Sequence, residues 1–142
     1  MTLSIRSGAT ALVLALVSVV AVAAAAPAAA RADEKADPHA GAKARVFEAA
    51  RRAHEVAVEN LRTGLAGPET VHAWSLRWMA AQTDFDPTGK VRAIEEHFER
   101  MNDLDELVKT MAAVGKASTL DVASATFFRE EAKLWLETAR AK

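Results

Sequence analysis

The chain has 142 residues, 18 Lys or Arg against 19 Asp or Glu, and no cysteine. The missing cysteines exclude a disulfide framework, thiolate chemistry and a lipobox. A formal charge of −1 without a Lys/Arg cluster on one face excludes a nucleic-acid binder, whose affinity rests on neutralising phosphates.

The first residues read as an address. Arg6 supplies a positive start, Ala9 to Ala26 is an apolar run, and Pro27 ends it. Ala30-Arg31-Ala32 puts small residues at both positions read by signal peptidase, which predicts a cleaved export signal over 1–32. Cleavage after Ala30 is an alternative. The competing reading is an uncleaved anchor, since the run approaches the length of a membrane span. The mature domain, 33–142, then carries 16 basic and 19 acidic side chains, a net charge of −3, and no membrane span. Its periplasmic or secreted location is an expectation from this leader.

Asp37-Pro38 predicts the start of a first helix, with Asp as cap and Pro in the first turn. Val46/Phe47, Ala50, Ala53/His54, Val56/Ala57 and Leu61 follow at three- and four-residue steps, and Gly64 stops the run. Gly67-Pro68 opens a second helix bearing Val71, Trp74, Trp78, Ala81 and Phe85 along one side. Asp86-Pro87 repeats the cap-plus-proline device for a third, with Val91, Ile94, Phe98, Met101, Leu104, Val108 and Met111 before Gly115. Ser118 and Asp121 have the spacing of a capping box, and Ala125, Phe128, Ala132, Trp135 and Ala139 mark a fourth helix. No stretch alternates with period two.

The chain writes its turn twice. At an offset of 51 residues Gly64 aligns with Gly115, Ala66 with Ala117 and Val71 with Val122, and Phe47-Glu48 aligns with Phe98-Glu99. Helix, glycine stop, short loop and helix start coincide in both copies. The expected fold is all-α: an up-down-up-down four-helix bundle of two αα-hairpin repeats, about 38–84 and 87–141, with both glycine loops at one end.

The Gly115, Ser118, Asp121, Val122 turn between amphipathic helices resembles the hairpin tips of outer-membrane efflux proteins of the TolC type. In the first copy Gly64 and Val71 match, while Gly67 and Thr70 replace the serine and aspartate. The resemblance implies a tip that meets a helical hairpin of a partner protein. The strands of that family's barrel are absent, so the resemblance does not imply an export duct.

Catalytic constellations are hard to assemble from these residues. No G-x-S-x-G elbow occurs, and Ser75, Ser118 and Ser124 have no sequence-local base. Glu69 and His72 share one helix face at Glu-x-x-His spacing, the half-motif of a di-iron bundle, and are the metal candidates. The aligned residues of the second copy, Leu120 to Ala123, lack the partner motif. Haem held by Met and His is a further option, but Met79, Met101 and Met111 lie in or beside the apolar stripes. His54 and His97, flanked by Arg and Glu, read as surface or boundary positions, and the three tryptophans as core filling. No cofactor is expected.

The sequence therefore predicts an exported, non-enzymatic module that binds a partner protein helix. Binding is expected through the tips (Gly64, Leu65, Gly115, Ser118, Asp121 and Val122) or through an exposed apolar stripe. A homo-oligomer is compatible with this. The competing class is a bundle that holds a small ligand, metal or haem between its helices.

Overall fold

A computed structural model describes residues 37–142 of the protein, and the expected export signal and mature N-terminus lie outside them. The helices are α1 (Ala40–Arg62), α2 (Pro68–Phe85), α3 (Lys90–Ala113) and α4 (Thr119–Arg140), with no strand among the described residues. The chain is an all-α four-helix bundle, as its periodicity predicts. Among the described residues no helix is long and apolar enough to cross a membrane.

Local chemistry sets the boundaries. The Asp37 carboxylate accepts the His39 N–H at 2.8 Å, and α1 begins at Ala40. Gly67, extended at φ −93° and ψ 171°, leads into α2 with Pro68 in the first turn, where a missing N–H costs nothing. The expectation for α3 needs correction. Asp86 accepts from the N–H groups of Thr88 and Gly89 at 3.1 and 3.2 Å, but the element it caps is a single 3-10 turn, Pro87–Gly89. The Asp86 carboxylate folds back over that turn, and the α-helix proper starts only at Lys90.

Both hairpins turn by the same mechanism. Leu65 N–H donates to Asn60 C=O at 2.8 Å and Gly64 N–H to Leu61 C=O at 3.0 Å. Lys116 N–H donates to Met111 C=O at 2.8 Å and Gly115 N–H to Ala112 C=O at 3.0 Å. These are two Schellman closures, each requiring a left-handed residue. Gly64 at φ 77° and Gly115 at φ 74° supply it. Beyond Gly115 the capping box forms: Asp121 N–H donates to Ser118 Oγ at 3.1 Å, and Ser118 N–H donates to the Asp121 carboxylate at 2.7 Å.

Within each repeat the two helices pack as a pair, and the hairpins meet through α2, which lies against α3 and, less extensively, α4. Helices α1 and α4 form no extensive interface, so the bundle is not a closed square. Ala57, Leu61, Val71, Met101, Leu104, Val108, Met111, Ala125 and Ala132 form its apolar core. Burying Val71, Met101 and Val108 contributes roughly 1.5–3 kcal/mol each. Four expected stripe residues, Val46, Val56, Phe85 and Val91, are exposed instead. The inward line of α1 runs through Ala50, His54, Ala57 and Leu61, because small residues let α1 approach α2 closely.

Candidate functional site

Two regions stand out from ordinary packing: the paired tips and a polar cluster inside the bundle. In an up-down-up-down chain the α1–α2 and α3–α4 loops share one end. Leu65, Val114 and Leu120 are 79%, 67% and 72% exposed around the two glycine stops. Gly64, Gly115 and Ser118 are exposed as well, whereas Val122 is half-buried and packs on the core. The backbone beneath these aliphatic side chains is held by the Schellman closures and the capping box.

The interior cluster draws on all four helices. Ser75 on α2 is fully buried, and its Oγ lies 2.8 Å from His97 Nδ1 on α3. Arg100, one turn further along α3, donates its Nε–H to the same Oγ at 2.8 Å. Arginine can only donate, so the hydroxyl accepts from Arg100 and gives its own proton to Nδ1. That relay leaves the His97 proton on Nε2, which has no hydrogen-bond partner among the described residues. The Arg100 guanidinium covers the Trp78 ring at 4.1 Å, and His54 of α1 packs against the same indole, ring centroids 5.5 Å apart. The α4 side is aromatic: Trp135 stacks on His97 at 5.7 Å and Phe128 on His72 at 4.0 Å.

Electrostatics follow from burial. His97 is pushed down to about 3, first by burial and then by the Arg100 charge and the neighbouring His72 and His54. His54 falls to about 4 for the same two leading reasons. Burial also lowers His72, against the opposing pull of Glu131 and Glu69. All three imidazoles are therefore neutral near pH 7. Burial brings Arg100 down to about 10, so it keeps its charge.

Several expectations change accordingly. His54 and His97 are buried, not surface or boundary residues. His72 is mostly covered rather than solvated: it stacks on Phe128, with Glu131 3.7 Å away. Glu69 is exposed. Among the described residues no group of three or more His, Asp or Glu is placed to hold a metal ion. Ser75 does meet a histidine, brought from 22 residues away by the α2–α3 packing. The pair is closed to chemistry as a nucleophile and base, because Ser75 and His97 are both fully buried and His97 resists protonation.

A second polar site, missed in the sequence, ties α3 to α4. The buried carboxylate of Asp105 accepts from Thr126 Oγ1 at 2.8 Å, from Lys109 Nζ at 2.7 Å and from Arg129 Nη1. Burial works to raise its pKa, but the hydrogen bonds from Lys109 and Thr126 and the two positive charges outweigh it. The net shift is downward. The i,i+4 spacing of Asp105 and Lys109 was the only sequence signal for this site.

No protein family, curated protein or solved structure matches this chain.

Proposed function

We propose that the protein is an exported, non-enzymatic interaction module whose paired tips bind the apolar face of a partner protein helix. The observation that carries this reading is the exposure of Leu65, Val114 and Leu120 at one end of the bundle. Three aliphatic side chains in water are an unfavourable surface unless something covers them. Their backbone is pre-set by two Schellman closures and a capping box, so little order is lost on docking. A helix presenting Leu, Ile or Val at i, i+3 and i+4 matches such a surface. Export rests on the Arg6-to-Ala32 leader, and the non-enzymatic reading on the burial of the Ser75–His97 pair.

A site-specific photo-crosslinker at Leu65 or Leu120 in the native cell tests this, with Val91 and Leu134 as controls at the opposite end. The expected result is one discrete adduct from the tip positions, lost when Leu65, Val114 and Leu120 are changed to Ser together. Equal labelling from both ends, or an adduct that survives the triple change, overturns the reading.

A further inference from the structure

Helices α1 and α4 each carry an apolar stripe that no helix covers among the described residues. On α1, Val46, Ala49, Ala53 and Val56 follow at steps of three, four and three, and both valines expose more than half of their surface. On α4, Phe127 and Leu134 stand two turns apart and are equally open. The α1 stripe is turned roughly 90° from the inward line of Ala50, His54, Ala57 and Leu61, at about 100° per residue. Helix α2 packs against both α1 and α4, while those two form no extensive interface, so the stripes lie at separate edges of the bundle.

The second repeat uses the equivalent face of its first helix. At the offset of 51 the α1 stripe aligns with His97, Arg100, Leu104 and Leu107 of α3. There the face is covered: Ser75 of α2 bonds His97 and Arg100, and Leu104 is buried. The first copy presents the same face with no second hairpin over it.

Height and charge match this face to α4. The two helices run antiparallel between the same ends of the bundle, with Ala40 and Arg140 at one end and Arg62 and Thr119 at the other. Leu134 then comes level with Val46, and Phe127 with Ala53, where the small Ala49 and Ala53 leave room for its ring. Arg45 and Arg52 flank the α1 stripe by about 60–80°, and Glu130 and Glu137 flank the α4 stripe by about 50–70° in the same rotational sense. Flanks of the same sense face each other when two helices pack antiparallel. Glu137 is within about 3 Å of the height of Arg45, and Glu130 within about 3 Å of that of Arg52. Arg45, Arg52 and Glu137 have no ion-pair partner among the described residues, and Glu130 has only Arg129.

We propose that two copies of this chain close on each other about a two-fold axis parallel to the helices, the α4 stripe of each laid against the α1 stripe of the other. The two-fold forms the seam twice, so each copy covers both of its open edges. Arg45 and Arg52 of one copy meet Glu137 and Glu130 of the other at each seam. Leu120 comes level with polar Asn60 and Thr63 and stays with the tips, which remain free in the dimer.

Sedimentation velocity across a concentration series, on the protein purified as the cell processes it, tests the assignment. A reversible dimer is expected. Arg45→Glu and Glu137→Arg should each weaken it by roughly tenfold, since each sets like charges across both seams, and the two together should restore it. The chain has no cysteine, so pairing can also be read by oxidation. A mixture of Val56→Cys and Ala123→Cys chains should give a covalent dimer that neither variant gives alone. Because Leu134 lies in the seam, a photo-crosslinker there yields a dimer of this chain, distinct in mass from the partner adduct expected at the tips. A wild type that stays monomeric up to about 1 mM overturns the proposal. So does failure of the double charge change to restore the dimer, or efficient cross-linking of Val56→Cys to itself, which would pair α1 with α1. A disulfide formed within a single chain carrying both cysteines, with no mixed dimer, would place α4 on its own α1 and overturn it as well.

Discussion

His54 and Asp105 occupy the same position of the two repeats, 51 residues apart, and both are buried on the first helix of their hairpin. The hydroxyls opposite them are also equivalent, Ser75 in one copy and Thr126 in the other. In the second copy the set closes on itself, with Thr126 and Arg129 of α4 both bonded to Asp105. In the first, Ser75 turns away to the other hairpin and bonds His97 and Arg100. Equivalent positions of the two repeats thus fasten α3 to α4 in one place and α2 to α3 in the other.

Removing the Asp105 carboxylate should loosen the second hairpin. Asp105→Ala leaves Thr126 and the inner side of Arg129 without an acceptor, and a hydrogen bond to a charged group contributes about 1.5–3 kcal/mol. We expect a loss of about 2–4 kcal/mol, read as a lower urea midpoint at an unchanged slope. A loss under half a kilocalorie, roughly the surface-substitution range, would show that the three bonds are solvent-like.

Acid should destabilise the bundle well above the carboxylate range. The folded pKa values of His54 and His97, about 4 and about 3, lie below the ordinary 6.5. The unfolded chain therefore binds more protons than the folded one as pH falls through 6.5. Stability is complete above that value and declines towards the folded values, at up to about 1.4 kcal/mol per pH unit for each histidine. Urea unfolding at pH 7.5 and pH 4.5 should differ by on the order of 5 kcal/mol, about half from each histidine. A flat profile over that interval would mean that both rings reach water.

The glycine stops should be equivalent. At Gly64 and Gly115 an added Cβ would meet nothing within 4 Å, so the cost of alanine is confined to the positive φ. Each Gly→Ala change is expected to lose about 1 kcal/mol, a β-branched residue more, and the double change their sum. Chemical denaturation of the three variants checks this. Wild-type stability for either single variant would remove the left-handed turn from that hairpin.

Ser118→Ala should lower stability by about 1 kcal/mol, because the Asp121 N–H loses its Ser118 Oγ acceptor, while the backbone bond from Ser118 N–H to the Asp121 carboxylate needs no hydroxyl. Restoration by Ser118→Thr or Ser118→Asn would separate loss of the cap from loss of a tip contact. If Thr and Asn fail to restore it, the hydroxyl acts elsewhere.

What the sequence alone determined lies within a few residues of chain. The two Schellman stops, the Gly67-Pro68 start and the Ser118–Asp121 box each close over six residues or fewer, so their donors and acceptors meet however the hairpins pack. The helical periodicity is local for the same reason. The rotation of each helix about its own axis was not legible, because it depends on the partner it packs against. Hydrophobicity pointed inward at Val56 and Val91, but small Ala57 and Ala93 allow closer helix contact and took those places. His54 and His97, flanked by charges in the chain, became core residues when the four helices packed and brought Ser75, Trp78 and Trp135 around them. Arg100 meets Ser75 and Trp78 for the same cause. Its surroundings come from helices distant in sequence, and only the tertiary structure decided which charges would reach it.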